Sequence, residues 1–473
     1  MIQKNRYLLL LLLISMAALS CKKYLNIQPQ DKYTEGQVYS SERAIQQALN
    51  GLYFNLASNN LYGANLTNTT VELLGQRYNV VAGGANSWDQ FQQYAYTNTA
   101  VMGAFDNIWT SAYNNITQAN KFISGLQTAT QNGVISQQHA DLLKGEAIGI
   151  RAMLHFDMLR LFGPVYSASS TSNAIPYYRQ ADGLTKPLLP AKMVVDSVLA
   201  DLSAASTLLA ADPVITMGVA ANADFYNGYR NQRLNYYGIL ALQARVNLYA
   251  GNPIVANQLA KRALAEGEKW FPWLPIANVN NNSSPDRIFS TEVMFGVYNQ
   301  DMYTDYTNFF APELLNLNIL TAYPARLTAI FESNQNDLRY PTIWITGISG
   351  PTFYKFADLG DKTKPWRYIQ PLIRKSELYY ILAETEPDAA TALGYLNTVR
   401  FNRNLTALTG TAVLATEIQK EYQKEFWGEG QLFFYYKRLN KTSIPSGISG
   451  TSNISMSAAK YAVPLPLSET TPR

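Results

Sequence analysis

Aromatic and polar side chains stand close together in segments of this 473-residue chain that carry no helical pattern. Arg77, Trp88 and Asp89 lie in one such segment, and Tyr303 and Tyr306 lie in a later one. Aromatic rings cover the C–H faces of sugar rings, while carboxylate, amide and guanidinium groups hydrogen-bond the hydroxyl groups. The pattern therefore favours glycan binding, although protein interfaces are enriched in the same residue types.

The sequence contains few of the residues and none of the common motifs on which catalysis usually depends. The chain contains two histidines, His139 and His155, and it lacks the GxSxG, HExxH, Walker and dinucleotide-binding motifs. These absences disfavour a serine–histidine triad and a histidine-rich metal site, and we expect His155 to be a packed helix residue. We predict no enzymatic activity, no cofactor and no metal site.

A pair of carboxylates is the catalytic arrangement that the residues still allow, because a glycoside hydrolase needs only two acids. Four acids lie in plausible loops: Glu72, Asp89, Asp301 and Asp305. With 34 acids in the chain, a chance pair is the default interpretation. A surface glycoside hydrolase stays as an alternative function, and Asp301 and Asp305 stay as loose candidates for binding a structural calcium.

The N-terminus has the pattern of a bacterial lipoprotein signal. Lys4 and Arg6 precede an apolar run at 8–19, and the run ends just before Cys21, the only cysteine in the chain. A run of about a dozen residues is shorter than the ~20 that a membrane-spanning helix needs. We predict a signal peptide at 1–20 and lipid acylation, including palmitate, at Cys21. An ordinary secretory peptide with an incidental cysteine is the alternative.

Composition limits the class of partner. The chain is 47% hydrophobic and 15% charged, enough for a large core, and after Cys21 we expect no second stretch that could span a membrane. The formal net charge of +4 falls to +2 when Lys4 and Arg6 leave with the signal. Basic residues form only short pairs, such as Lys22-Lys23. We therefore predict no nucleic-acid partner.

Helical periodicity dominates the elements that would position the candidate residues. Apolar residues at three- and four-residue steps predict helices near 45–56, 109–126, 143–161, 193–209, 236–249, 255–265, 372–385, 388–402 and 415–438. One short strand is predicted at 293–297. The segments between them, at 60–103, 163–190, 211–232, 271–290 and 299–370, are too long for simple turns. Long loops usually carry function, so we predict a helical scaffold that displays aromatic loops.

One helical hairpin shows the small-residue spacing of tetratricopeptide-type helix pairs. Ala244, Ala256 and Ala263 stand 12 and 7 residues apart within 237–265. An ordinary helical hairpin with alanines at its contact fits that spacing about as well.

Several short motifs follow one another along the chain. They are CKKYLNIQP at 21–29, AIQQALNGLY at 44–53, WTSAYNNITQAN at 109–120, EAIGIRAMLHFDMLRLFG at 146–163, IRKSELYYILAE at 373–384, LNTVRFNR at 396–403 and EYQKEFWGEGQLFFYYKR at 421–438. In this order, the chain resembles the SusD/RagB family of outer-membrane nutrient-binding lipoproteins of Bacteroidetes. That family usually has Arg where Leu432 stands and Asp where Tyr435 stands.

The resemblance implies an all-α fold, a tetratricopeptide-like scaffold of helix pairs with long loop insertions and minor short β-strands. It implies a body at 21–473, with an N-terminal half at 21–235 that holds the glycan loop and a C-terminal half at 236–473. It also implies a partner, a SusC-like TonB-dependent transporter, to which a lipoprotein on the outer face of the outer membrane delivers oligosaccharide. A helical-repeat scaffold that binds only protein stays open.

The resemblance also suggests which residues contact the glycan. In the family, an aromatic and polar cluster lies in the loop before the W-x-x-x-Y helix. Here that loop holds Glu72, Arg77, Trp88 and Asp89. We predict that Trp88 is the stacking platform, that Arg77 with Glu72 or Asp89 bonds the hydroxyl groups, and that Tyr303 or Tyr306 closes the site. By contrast, we expect Asn120, Glu146 and Arg151 to satisfy buried polar groups.

Overall fold

A computed structural model describes residues 35–219, 221 and 224–470. The predicted signal peptide and Cys21 lie outside these residues. The first ten helices are α1 Glu35–Val38, α2 Glu42–Leu56, α3 Thr70–Leu74, α4 Trp88–Gln92, α5 Thr99–Gln131, α6 Gln137–Phe162, α7 Tyr166–Ser169, α8 Ala191–Leu208, α9 Val214–Met217 and α10 Tyr236–Tyr249. The next ten are α11 Pro253–Gly267, α12 Ile276–Val279, α13 Met302–Phe309, α14 Pro324–Ile330, α15 Lys375–Thr385, α16 Ala389–Phe401, α17 Leu414–Glu425, α18 Leu432–Arg438, α19 Ala458–Tyr461 and α20 Leu467–Thr470.

The strands are short and few. They are β1 Asn173–Ile175, β2 Leu189–Pro190, β3 Val293–Tyr298, β4 Trp344–Gly347, β5 Gly350–Phe353, β6 Ile369–Arg374, β7 Ser443–Pro445 and β8 Asn453–Ser455. Within the described part of the chain they form four separate antiparallel pairs, β1 with β2, β3 with β6, β4 with β5 and β7 with β8. The predicted fold class, a helical scaffold with minor strands, is confirmed.

Helix caps and apolar stripes explain the helices of the N-terminal half. Ser41 caps α2, because its side chain accepts a hydrogen bond from the backbone N–H of Ala44. Ser136 does the same for α6 at His139. The long helices α5 and α6 pack against each other, and α6 packs against α8. Tyr62 of the loop at 57–98 donates to Asp157 of α6, and Tyr96 packs against Phe105 of α5, so α5 and α6 form the wall behind this loop.

Buried polar contacts hold this wall together, as predicted. Arg151 donates to both carboxylate oxygens of Asp201 at 2.8 and 2.9 Å, and to the side-chain oxygen of Asn120 at 2.8 Å. Glu146 accepts from Arg230 at 2.6 Å. His155 is fully buried, and burial lowers its pKa to about 3, so it is a neutral packed residue.

The α10–α11 hairpin packs as closely as its small residues predict. Ala244 of α10 and Ala256 and Ala263 of α11 are all fully buried. The proposed division at 235/236 falls at the start of α10, and α10 also packs against α8 of the N-terminal half. The division into two halves therefore stays a prediction.

Two predicted helices have different limits in the structure. The first three residues of the helix expected at 372–385 lie in β6 instead, because β6 pairs with β3 from Ile369 to Arg374. The helix expected at 415–438 is divided into α17 and α18. Gly428 and Gly430 adopt positive φ angles of 75° and 69° between them, and a Cβ on Gly430 would lie 2.0 Å from the carbonyl oxygen of Leu66.

One helix differs from the expectation that no stretch after Cys21 could span a membrane. The segment Ala191–Ala211, which contains α8, is long and apolar enough to do so by length and composition alone. In the fold, however, α8 buries Val194, Val198 and Leu202 completely against its neighbours, and Asp201 pairs with Arg151. We interpret α8 as a core helix.

Candidate functional site

A buried ion pair between Glu72 and Arg77 fixes the loop that precedes α5. The Nε atom of Arg77 donates to Oε2 of Glu72 at 2.8 Å, and the two side chains are at most 1% exposed. Arg77 also donates to the backbone carbonyls of Tyr422 and Gln423, and its guanidinium lies 4.6 Å from the centre of the Trp427 ring. The loop is thereby fixed to α17 and to the segment that follows it.

This placement corrects the prediction that Glu72 and Arg77 bond the hydroxyl groups of a ligand. The second carboxylate oxygen of Glu72 accepts from the backbone N–H of Gly430 at 2.8 Å, so both oxygens have protein partners. Burial raises the pKa of Glu72, and the charge of Arg77 opposes that shift. Because the C-terminal segment covers both side chains, they support the loop and lie out of reach of a ligand at its surface.

Trp88 stands at the start of α4 and is half-buried. Its ring packs edge-to-face against Phe309 at the end of α13, with 5.9 Å between the ring centres. A cavity of about 180 Å³ opens beside these two rings. Its polar lining consists of amide and hydroxyl side chains, from Asn59, Asn60, Asn65, Thr69, Thr70 and Asn86. We call this the Trp88 cavity.

The Trp88 cavity offers an apolar face and a polar rim side by side. Asn59, Asn60 and Asn86 are exposed, and their amides present both donors and acceptors at the opening. Asn65 lies deeper, where its side-chain oxygen accepts from the hydroxyl groups of Thr69 at 3.2 Å and Thr70 at 2.9 Å. Uncharged donors and acceptors next to flat rings suit a neutral, hydroxyl-rich ligand.

Asp89 lies in the same turn as Trp88 but does not belong to the cavity lining. It is only 9% exposed, and its Oδ2 atom accepts from the side-chain amides of Gln90 at 2.7 Å and Gln93 at 3.5 Å. The carboxylate therefore serves α4 itself. Amides, and not the predicted carboxylate, are the polar groups beside Trp88.

The later aromatic segment reaches Trp88, but through a residue that the sequence reasoning missed. Tyr303 and Tyr306 lie on α13 with Phe309, yet Tyr303 bonds the carbonyl of Arg367, and Tyr306 packs on Tyr354 with 5.9 Å between ring centres. Only Phe309 contacts the Trp88 ring among these three. The signal was present, since three-residue steps separate the three aromatic residues along one helix.

Asp305 lies between these contacts and joins α13 to the rim of the cavity. Its Oδ1 atom accepts from the side-chain amide of Asn59 at 2.9 Å, while Oδ2 is buried without a hydrogen-bond partner. Burial raises its pKa from the ordinary 3.8 to about 7, which exceeds the opposing effect of the Asn59 bond. In the part of the chain that the structure describes, no group of three or more His, Cys, Asp or Glu side chains could hold a metal ion, and Asp301 with Asp305 forms no such group.

Replacing Asp305 is expected to flatten the dependence of stability on pH. Between about pH 4 and pH 7 the folded protein keeps a proton on Asp305 that the unfolded chain has released, so stability falls as pH rises, by at most ~1.4 kcal/mol per pH unit. Asp305→Asn keeps the side-chain oxygen that accepts from Asn59 and removes the carboxyl group whose titration makes stability depend on pH. The measurement is the free energy of unfolding in urea at a series of pH values. The exposed Asp196→Asn is the control, because the charge of Asp301 itself helps to raise the pKa of Asp305. Parallel curves for wild type and Asp305→Asn would contradict the assignment.

Comparison with known proteins finds similarity to one family in the N-terminal part of the chain. A family described as starch-binding and associating with the outer membrane, SusD-like, matches residues 23–223. A SusD-like protein from Bacteroides ovatus is 24% identical over 204 residues, which are 42% of this chain and 34% of the relative. The chain is thus similar to the SusD-like family over residues 23–223. Its match therefore spans about a third of the length of that curated SusD-like relative.

Solved structures extend the likeness of fold to nearly the whole chain. A SusD superfamily protein from Bacteroides thetaiotaomicron is 20% identical, with a TM-score of 0.72 over 91% of this chain and 97% of that one. A SusD-like carbohydrate-binding protein from Bacteroides vulgatus is 16% identical, with a TM-score of 0.66 over 86% of this chain and 84% of that one. A laminarin-binding SusD-like protein is 17% identical, with a TM-score of 0.67 over 92% of this chain and 98% of that one. At these identities the likeness establishes the SusD-like fold.

Proposed function

We propose that this SusD-like protein captures a neutral oligosaccharide at the Trp88 cavity and delivers it to a SusC-like TonB-dependent transporter of the outer membrane. The observation that carries the binding step is the pairing of the Trp88 and Phe309 rings beside a rim of exposed amides. The starch-binding description of the family and the laminarin-binding and carbohydrate-binding relatives support a glycan as the ligand.

The proposed location depends on the N-terminus. The basic residues, apolar run and lone Cys21 support export and lipid acylation, and the family description supports association with the outer membrane. A lipid tether confines a binding protein to the membrane plane and raises its effective concentration beside a transporter. Capture followed by transfer needs no chemical change in the ligand, so the protein is proposed to act as a binding protein and not as an enzyme.

Trp88→Ala is expected to weaken glycan binding by ~1 to 3 kcal/mol, because it removes one of the two rings on which a sugar face would lie. The purified chain is titrated calorimetrically with laminarihexaose and maltohexaose. Trp88→Phe, which keeps a ring, should retain most of the affinity. Phe401→Ala is the matched control, since Phe401 is a 76% exposed aromatic residue outside the cavity.

Two results of that titration, and one result of a prolonged incubation, would count against the proposal. Unchanged affinity in Trp88→Ala would remove Trp88 from the binding site. Binding of no glycan by the wild type would overturn glycan capture. Shortening of either hexasaccharide during a prolonged incubation would replace capture by hydrolysis.

A further inference from the structure

A second aromatic cavity lies between the helical body and the long loop that precedes β6. It has a volume of about 320 Å³, larger than the Trp88 cavity, and shares none of the residues that line the latter. Trp270, which follows α11, and Trp366, in the loop before β6, both line it. Tyr229 completes the aromatic lining in a left-handed backbone conformation with a φ angle of 48°.

The polar lining of this cavity is uncharged. Asn231, Gln232, Ser290 and Thr291 contribute amides and hydroxyl groups, and no residue among its lining carries a formal charge. Two charges lie close by, the ammonium groups of Lys269 and Lys364, which are 4.6 and 5.4 Å from the ring centres of Trp270 and Trp366. A neutral ligand with many hydroxyl groups would find donors and acceptors beside the aromatic rings. The lining therefore repeats the chemistry of the Trp88 cavity on a larger scale.

Two polar atoms at this cavity have no partner in the protein. The side-chain oxygen of Asn231 is an acceptor and the indole Nε1 of Trp366 is a donor, and both are buried without a hydrogen bond. By contrast, the indole nitrogen of Trp270 donates to the carbonyl of Ile215 at 3.2 Å. Buried polar groups are rarely left unpaired, because each lost hydrogen bond costs about 1–3 kcal/mol. Both residues line the cavity, so each brings to it a polar group whose hydrogen bonds the protein does not complete.

A second cavity adjoins the first and shares two of its lining residues. Tyr229 and Gln232 also line a neighbouring cavity of about 510 Å³, at which the rings of Phe54 and Tyr298 are 64% and 45% exposed. Two charged residues of opposite sign, Asp224 and Arg233, also line this second cavity. Asp224 accepts from the backbone N–H groups of Tyr226 and Asn227 at 2.9 and 3.0 Å. Arg233 donates to Asn50 at 2.8 Å, and its Nη1 atom lies 3.8 Å from Glu146. Each of the two volumes falls in the range of about 300–1,000 Å³ that is typical of small-molecule sites.

We infer that these two adjoining cavities, which we call the Trp366 groove, form a second binding site for a neutral oligosaccharide. The inference rests on the proposed function for its ligand class, but it concerns a separate surface. A chain of several sugars would fit the Trp366 groove better than the smaller Trp88 cavity. If one polymer engages both, the second contact raises the apparent affinity for long chains over short ones.

The two sites are distinguished by hydrogen–deuterium exchange of the whole chain, purified in detergent, with and without laminarihexaose or maltohexaose. We expect slower exchange both at 229–232 with 364–369 and at 86–92. Slower exchange at 86–92 alone would overturn the second site and leave the proposed function standing. Slower exchange at the Trp366 groove alone would support the second site and overturn the role of the Trp88 cavity. No change in either region with either glycan would overturn both.

Substitutions test the second site through the affinity of the protein for a hexasaccharide. Trp366→Ala is expected to weaken hexasaccharide binding about tenfold in a Trp88→Ala background, where only the second site remains. Trp366→Phe, which keeps a ring but removes the unpaired indole N–H, should lose less and guards against a folding defect. Phe401→Ala in the same background is the control and should leave affinity unchanged. Equal affinities for the Trp88→Ala single variant and the double variant with Trp366→Ala would overturn the inference.

Discussion

Glu425→Ala is expected to lower the free energy of unfolding by about 3–5 kcal/mol, because it leaves three buried guanidinium groups short of a counter-charge. Glu425 lies at the end of α17 and accepts hydrogen bonds from Arg339 at 2.8 Å, from Arg403 at 2.6 and 3.0 Å, and from Arg374. Burial alone would raise the pKa of Glu425, but the three arginines outweigh it and hold the pKa well below its ordinary value.

The surrounding cluster shows why no neighbouring residue can compensate. It contains five acids and five bases: Glu292, Asp337, Glu421, Glu425 and Glu429 with Arg339, Lys355, Arg374, Arg400 and Arg403. A sixth base, Lys424, lies 3.7 Å from Glu421 and pairs with the half-exposed Glu332 at 2.9 Å. The side chains of the five acids and five bases are at most 8% exposed, so water cannot take the place of the missing carboxylate. Removing one acid leaves an excess positive charge in the interior.

Unfolding in guanidinium chloride compares wild type with Glu425→Ala and with Glu425→Gln, which keeps the shape and loses the charge. Glu425→Gln should lie between the other two. Glu266→Ala is the control, because Glu266 is 43% exposed in an i,i+4 pair with Arg262 and should cost less than ~1 kcal/mol. Equal losses for Glu425→Ala and Glu266→Ala would show that the cluster does not stabilise the fold.

The parts of the fold that the sequence predicted are those that local pattern decides. The helix expected at 236–249 has those limits in the structure, because its apolar residues, its Asn235 cap and the turn at Gly251 all lie within a few residues. The start of α15 was misplaced for the opposite reason. Residues 369–374 form a strand only because β3, more than seventy residues earlier in the chain, lies beside them.

The candidate site also contains residues that the sequence could identify and residues that only the fold reveals. Trp88 could be selected from its type and from its place in a long loop, and it lines a cavity in the structure. Phe309 lies among many other aromatic residues of 299–370, and only the fold shows that it meets Trp88. Glu72 and Arg77 resemble ligand contacts in a sequence, because nothing near them in the chain shows that residues 422–430 cover them.

Arg77→Ala separates a supporting residue from a ligand contact, and we expect it to destabilise the protein by about 3–5 kcal/mol. The substitution leaves Glu72 buried beside an empty volume and removes the bonds from Arg77 to the carbonyls of Tyr422 and Gln423. It also removes the cation–π contact with Trp427. The loop that carries Trp88 would then lose these three contacts with the C-terminal segment and keep others, such as the bond from the Gly430 N–H to Glu72.

Trp88→Ala is the comparison for Arg77→Ala, because Trp88 lines the cavity whereas Arg77 is buried beside Glu72. Thermal unfolding and hexasaccharide binding are measured for both variants, with binding taken at a temperature where each is folded. Arg77→Ala should lower the melting temperature far more than Trp88→Ala does, whereas Trp88→Ala should lose affinity at nearly unchanged stability. Arg77→Lys keeps the charge but cannot reproduce the planar contacts of a guanidinium, so it should fall between wild type and Arg77→Ala in stability. A variant of Arg77 that melts like the wild type and loses affinity for the glycan would instead place its side chain at the ligand, against the burial of the Glu72 and Arg77 pair.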